Sequence, residues 1–371
     1  MKKRNITIVM PTAQLTGGSE EAFRQLLSGE GNYGIVYDVI FLEEGPLIQW
    51  VEDLGIRWLL TESGRLRQAF RWLRTVRNIR KHIERVNSDF VLGWILKSHL
   101  YGGVAAYQAG VPCGWFQLGL PQSGVLDYLA SKIPSKVTFA CSDYVAELQK
   151  KAVPNARVVS IPLGVDANRF AQVSSLSREE CRKLLGLPTS RPVVGTVGRL
   201  QHWKGMHLLI EAVALVADKN PDICCIIVGG PFQSEPGYEK SLHHLVATLG
   251  LEGQVIFAGE QRNIPHWVRS FDIFVHASEC EPFGIVVIEA LATGTPVISF
   301  APSGVASILR TLPTCVVLDS RDSKVLAEGV ASLLRNESIN RNDLIVASNR
   351  YSDAAFKDRM ESAILSTLND E

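Results

Sequence analysis

Val193-Val-Gly-Thr-Val-Gly-Arg199-Leu-Gln-His-Trp-Lys204-Gly205-Met206 decides the fold of this chain. The first five residues read as a buried strand ended by glycine, and from Met206 to Ala217 apolar residues recur at the helical period. Arg199 and Lys204 then flank the mouth between a strand's carboxyl end and a helix, where ligands bind in open α/β sheets. Working outward, Ile223-Cys-Cys-Ile-Ile-Val-Gly-Gly-Pro231, Val255-Ile-Phe-Ala-Gly259, Phe271-Asp-Ile-Phe-Val-His276 and Pro296-Val-Ile-Ser-Phe300 are further short apolar strands, each stopped by a small or polar residue. The first half repeats the plan, with strands predicted at Ile6–Met10, Tyr37–Phe41, Phe90–Ile95, Cys113–Phe116, Val137–Ala140 and Val158–Ile161. Helical patterns such as Glu20–Leu27 and Gly102–Ala109 fill the gaps. Strand alternating with helix predicts an α/β chain with a doubly wound parallel sheet in each half.

A chain of 371 residues is too long for one ordinary core and fits two domains. The segment from Pro162 to Pro192 has Gly, Pro, Asn and Ser near both ends and a helix-like Arg178–Leu185 between. It holds the domain joint, drawn here between residues 170 and 171. Lys+Arg and Asp+Glu balance at 38 each. Residues 1–165 carry 19 basic against 14 acidic side chains, which leaves the remainder five units negative. That balance argues against a strongly basic nucleic-acid binder.

Seven cysteines include the neighbours Cys224 and Cys225. Adjacent strand positions point to opposite faces, so these two read as buried fillers in a reducing-compartment pattern. No Cys/His cluster has zinc spacing, and no Asp-x-Asp occurs. The apolar run after Met1-Lys-Lys-Arg-Asn is of strand length and reads as the first strand, not as a signal peptide. No window is apolar for long enough to predict a membrane-spanning helix.

Glu281-Pro-Phe-Gly-Ile-Val-Val-Ile-Glu289 carries the most informative pair of acids. Eight residues of helix turn through ~800° and rise ~12 Å, so the two carboxylates cannot share a proton. The pattern predicts Glu281 in a loop, Gly284 at a close approach, and Glu289 on the first turns of a helix. The unpaired N–H groups of that helix start favour anionic or hydroxyl-rich ligands. By spacing alone, a solvated loop Glu and a helix-surface Glu fit equally well.

The order Gly-Arg-Leu-x4-Lys-Gly, then Gly-Gly-Pro, then Glu-Pro-Phe-Gly-x4-Glu-Ala-x3-Gly-x-Pro-Val-Ile resembles the family 4 retaining glycosyltransferases of the GT-B fold. The match is strong over residues 191–310 and looser through Gly17-Gly18 and Ile161–Phe170. The resemblance implies two Rossmann-like domains facing an interdomain cleft. An acceptor-side domain would span 1–170, with a last helix (about 353–371) crossing back to it, and a nucleotide-sugar domain 171–352. It implies a metal-independent, front-face transfer of sugar from a nucleotide-diphosphate sugar to an acceptor hydroxyl, with no cofactor. Arg199 and Lys204 would stabilise the departing diphosphate; the competing reading is an ordinary surface Arg and Lys. Glu281 would contact donor-sugar hydroxyls, Glu289 would accept from the ribose, and the backbone of Phe283, Gly284 and Ile285 would add donors. The acceptor would be a sugar, a glycolipid or a small molecule, and the location cytoplasmic. A GT-B sugar-nucleotide epimerase and a non-catalytic sugar-nucleotide binder are the competing functions.

Thr16-Gly17-Gly18-Ser19-Glu20 follows the first strand and opens a helix, with Ser19 or Thr16 as its cap. The glycine pair there fits a donor or acceptor loop, and equally a plain strand–helix turn. The family's cleft His is replaced by Gln117. His99 follows a strand end and is a candidate substrate contact or a satisfied structural His. The family's acid after the last core strand is missing from Ala301-Pro-Ser-Gly-Val-Ala-Ser307. Residues 65–86 carry eight Lys/Arg and one Glu, with Leu66, Phe70, Leu73, Val76, Ile79, Ile83 and Val86 at spacings of three to four. The stripe fits packing on the sheet, with the basic face solvated. It also fits peripheral docking to an anionic membrane at the inner surface.

Overall fold

The computed structural model describes residues 3–369 except Thr16, Glu30, Asn32, Arg65, Ser123 and Glu337. The expectations placed on Thr16, Arg65 and the last two residues lie outside the described residues. The chain forms two compact units, residues 1–164 with 353–371, and residues 165–352.

The first unit runs β1 (Arg4–Met10), α1 (Gly18–Leu27), β2 (Ile35–Phe41), α2 (Leu47–Asp53), β3 (Arg57–Leu60), α3 (Ala69–Val86), β4 (Phe90–Trp94), α4 (Ile95–Ala109), β5 (Cys113–Gln117), α5 (Val125–Ser131), β6 (Val137–Ala140), α6 (Asp143–Ala152) and β7 (Val158–Ser160). Its strands form one sheet in the order β3-β2-β1-β4-β5-β6-β7, all parallel. Strands covered by helices on both faces are apolar throughout, as the continuously buried Phe90–Trp94 shows. Chain order reverses between β1 and β4, which puts the loops after those two strands side by side. Edge strand β3 went unread in the sequence. Its four half-buried or exposed residues are too few to show a period.

The apolar stripe of α3 divides. Val76, Ile79 and Ile83 join the core with Val9, Ile40, Val91 and Tyr101, and Leu66 packs partly against it. Phe70 and Leu73 are exposed, so of the expected stripe Leu66 and the residues from Val76 onward pack on the first unit and these two do not.

The second unit runs α7 (Ala167–Ser174), α8 (Arg178–Leu185), β8 (Val193–Val197), the 3-10 turn His202–Lys204, α9 (Met206–Ala217), β9 (Cys224–Val228), α10 (Tyr238–Thr248), β10 (Val255–Gly259), α11 (Ile264–Ser270), β11 (Ile273–His276), α12 (Ile285–Ala292), β12 (Val297–Phe300), α13 (Ala306–Leu309), β13 (Val316–Leu318), α14 (Ser323–Leu334) and α15 (Arg341–Ser348). The sheet order is β10-β9-β8-β11-β12-β13, again all parallel. Order reverses between β8 and β11. Leu209, Ile210 and Val213 of α9 close a core with Cys225, Ile227, Val275 and Ile298. Cys224 and Cys225 are both buried, and every cysteine is a free thiol.

The second unit begins at Val165, six residues before the joint drawn from the sequence. Val165 forms a parallel bridge to Ser352, and its N–H donates to the Tyr351 carbonyl. Residues 165–170 are thereby tied to the second unit. The last helix, α16 (Asp353–Asn369), belongs to the first. It buries Phe356, Met360 and Ile364, and Lys357 donates to the carbonyls of Ser28 and Gly29 beyond α1.

Candidate active site

The switch between β8 and β11 organises the second unit's chemistry. After β8 the chain turns at Gly198-Arg199 and enters the 3-10 turn ending at Lys204. Gly205 follows in the left-handed region (φ 72°) and opens α9. A Cβ there would stand 2.2 Å from the Ala277 carbonyl just past β11, so glycine is required for the two strand ends to close together. The contact is reinforced by the Glu279 N–H donating to the Trp203 carbonyl at 2.7 Å.

That closure delivers Lys204 to Glu281. The Lys204 Nζ donates to Glu281 Oε2 at 2.6 Å, and both side chains are largely buried. The Lys204 ammonium also lies 4.1 Å from the centre of the Trp203 ring. On the same carboxylate oxygen, His276 Nε2 stands at 3.3 Å. The His276 ring is held from its other side by Ser299 Oγ at 3.0 Å, and Ser278 Oγ lies 3.2 Å from Nε2. Burial alone would raise the Glu281 pKa, but the His276 hydrogen bond and the charges of Lys204 and His276 outweigh it and push it down to about 2. Glu281 is a fixed carboxylate at neutral pH, not a proton donor.

The turn carrying Glu281 is braced from behind. Gly304 N–H donates to the Glu281 carbonyl at 2.8 Å, and a Cβ on Gly304 would fall 1.9 Å from the Pro282 carbonyl. The loop after β12 thus has a backbone duty here. Gly284, in the left-handed region, caps the start of α12. Phe283 turns its ring inward against Tyr351, and Ile285 begins the helix. Glu289 is half-buried on α12, four residues further along.

Arg199 is exposed, with its guanidinium 4.8 Å from the centre of the Phe232 ring. Phe232 follows the Gly229-Gly230 turn. A Cβ on Gly229 would come within 1.8 Å of the Gly198 carbonyl, so glycine at 229 lets one strand-end loop lie on the other. His276, Trp203 and Phe232 were missed by sequence reasoning. The available signal for His276 was a polar residue ending an otherwise apolar strand.

In the first unit Gly17 caps α1 and Gly18 begins it. Ser19, expected as a cap, lies inside the helix and does not cap it. Its hydroxyl and carbonyl receive the Trp94 indole N–H from the end of β4. Beyond Trp94, Ile95 takes φ 63°, a strained conformation for a β-branched residue. His99, read from the sequence as a substrate contact or a structural His, lies in the core. It is fully buried, stacked on Trp115 and 3.1 Å from Ser135 Oγ. Burial pushes its pKa down to about 4. The ring is held neutral in the core. Gln117 is buried too.

A cavity of about 870 Å³ opens at the opposite ends of these strands, lined by Arg178, Pro192, Lys219, Asp272 and Arg335 among others. It contains none of the motif residues, and the strand-end geometry locates the candidate site better than cavity size does. Among the described residues no cluster of three or more His, Cys, Asp or Glu could hold a metal. No described helix is long and apolar enough to cross a membrane.

Two doubly wound parallel sheets with these switch points define the GT-B fold. Solved structures agree along the full chain. A glycosyltransferase from Rickettsia africae ESF-5 superposes with a TM-score of 0.84 at 19% identity, covering all of both chains. Anabaena Alr3699/HepE, in complex with UDP and glucose, superposes at 0.79 with 21% identity, over 97% of this chain and 99% of that one. Residues 177–350 match the family model described as glycosyl transferases group 1. The lipopolysaccharide core biosynthesis mannosyltransferase LpsB of Rhizobium meliloti is 30% identical over 184 residues, 49% of this chain and 51% of that protein. A D-inositol 3-phosphate glycosyltransferase of Corynebacterium urealyticum is 32% identical over 186 residues, 49% of this chain and 44% of that protein. The aligned stretch spans about half the length of these curated relatives.

Proposed function

We propose that the protein is a retaining glycosyltransferase that moves a sugar from a nucleotide-diphosphate sugar to an acceptor hydroxyl without a metal ion. The observation that carries this reading is the Lys204–Glu281 pair at the β8/β11 switch, beside the free amides that begin α12. The match of residues 177–350 to the glycosyl transferases group 1 model supports it. Charge builds on the diphosphate as the glycosidic bond breaks, and preorganised cations and backbone donors stabilise it most effectively. Arg199 and Lys204 take that role. Glu281 accepts from donor-sugar hydroxyls and Glu289 from the ribose. The leaving phosphate oxygen receives the acceptor's proton on the face it departs from, so configuration is retained and no enzyme nucleophile is needed. A glycolipid is among the acceptors this reading admits.

The experiment is a panel of UDP-, GDP- and ADP-sugars scored for protection against melting, donor hydrolysis and the anomeric configuration of the product, with and without excess EDTA. One donor should protect the protein and give a retained product in EDTA. An inverted product, or activity lost in EDTA and restored by a divalent ion, would overturn the mechanism. Failure of every sugar nucleotide to protect would overturn the reading itself.

A further inference from the structure

The cavity of about 870 Å³ at the amino-terminal ends of the second unit's strands has seven Arg and Lys side chains in its lining, against two carboxylates, Asp272 and Glu328. Its volume lies within the ~300–1,000 Å³ usual for small-molecule sites. Asp272 is already neutralised. Its carboxylate accepts from Arg182 at 2.7 Å and stands 3.3 Å from Arg178, and it also accepts the Val193 N–H. Arg182, 4% exposed, donates in addition to the carbonyls of Ser270, Thr189 and Arg191. These bonds make that wall rigid.

The other cations keep their charge. Arg191 donates to the carbonyls of Asp222, Ile223 and Gly253, and Arg341 to that of Gly294. A carbonyl satisfies a guanidinium hydrogen without cancelling its charge. Arg178 Nη1 has no hydrogen-bond partner among the described residues, and Lys219, Lys324 and Arg335 are exposed. Lys219 and Arg335 follow the carboxyl ends of α9 and α14, where a cation complements the helix dipole. That accounts for two of the set. Arg178, Lys324 and Arg341 stand instead in the first turns of α8, α14 and α15, where the dipole disfavours a cation.

We propose that this cavity is a second binding site, taking a small anion that carries two or more phosphoryl groups. Seven cations against two carboxylates leave an excess of five, which a single carboxylate or phosphate would leave mostly unbalanced. Arginine's paired donors match phosphoryl oxygens in geometry as well as charge. The site is separate from the Lys204–Glu281 pair. Asp272 and His276 stand at the two ends of β11, four residues and ~13 Å apart. The site does not depend on the reaction proposed above, and its test uses no sugar nucleotide.

Calorimetry of the full chain with inorganic phosphate, pyrophosphate and tripolyphosphate tests this, with hydrogen exchange to locate the ligand. Affinity should rise about tenfold or more from phosphate to pyrophosphate, rise again to tripolyphosphate, and fall with added salt. Pyrophosphate can also enter the Lys204–Glu281 site, so position decides. Amides of residues 219–223 and 341–345 should gain protection, in Lys204→Ala as in wild type. Lys324→Glu/Arg335→Glu should weaken this binding about tenfold or more. The two changes act oppositely on the α14 dipole, so melting should stay near wild type. Absence of pyrophosphate binding, protection confined to residues 198–205 and 281–289, or affinity indifferent to Lys324→Glu/Arg335→Glu would overturn the proposal.

Discussion

Lys204 and Glu281, 77 residues apart, share a 2.6 Å hydrogen bond across the gap between two strand ends. The pair ties the cation expected to stabilise a leaving diphosphate to the acid expected to bind the donor sugar. Each is held by other partners as well, Lys204 by Trp203 and Glu281 by His276. Fixing both in advance removes the reorganisation that an exposed lysine would need.

The first prediction concerns acid. The Glu281 pKa is depressed from 4.5 to about 2, so its contribution to stability is complete above 4.5 and fades as pH falls toward 2. The side chains are 17% and 13% exposed, so screening is modest, and the shift corresponds to ~3 kcal/mol at most. Melting temperatures of wild type and Glu281→Gln should differ by a constant amount between pH 5 and 7 and converge from pH 4.5 to 3. A gap that widens on acidification would contradict the assignment.

Arg199→Ala and Lys204→Ala should separate catalysis from stability. Both should lower turnover by ~10² or more. Arg199 is exposed, so its loss should leave melting unchanged. Lys204→Ala strands a buried carboxylate and should cost ~1–3 kcal/mol as well. Steady-state kinetics and thermal melts on the two variants test the split, and near-normal transfer by either refutes the diphosphate role.

His276 is a positioning residue. His276→Gln should raise KM for the intact donor and lower turnover in the same direction as Glu281→Gln, because its ring is held against the Glu281 carboxylate. In a double-mutant cycle with Glu281→Gln the two losses should fail to add. Simple additivity would mean that His276 acts on something else.

The two acids of the motif should divide the donor between them. Glu281 sits in the turn before α12 and Glu289 is the fifth residue of that helix. Glu289→Gln should weaken free nucleoside diphosphate and intact donor alike, by ~1.5–3 kcal/mol. Glu281→Gln should weaken the intact donor and spare the diphosphate. Calorimetry with both ligands distinguishes them, and equal loss of diphosphate binding would show the division to be wrong.

A backbone prediction comes from Gly304, whose added Cβ would meet the Pro282 carbonyl. Gly304→Ala must displace the Glu281 turn, and overpacking of this kind costs ~1–3 kcal/mol. Unchanged melting and unchanged activity together would mean the loop yields freely.

The sequence by itself determined the parallel α/β plan, most strand positions to within a few residues and the loop-then-helix placement of Glu281 and Glu289. Those features rest on short-range causes: apolar period, glycine at turns, and amides left open where a helix begins. Its reading of α8 and α9 matched, and the edge strands β3 and β13 escaped because four and three residues hold no period. Tertiary structure decided which distant residues meet. Lys204 reaches Glu281 only because β8 lies beside β11, a pairing fixed by sheet order and not by either segment. Burial was likewise beyond the sequence. His99 and Phe70 each sit on a helix after a strand end, and only the packing of neighbouring elements put one in the core and left the other in solvent.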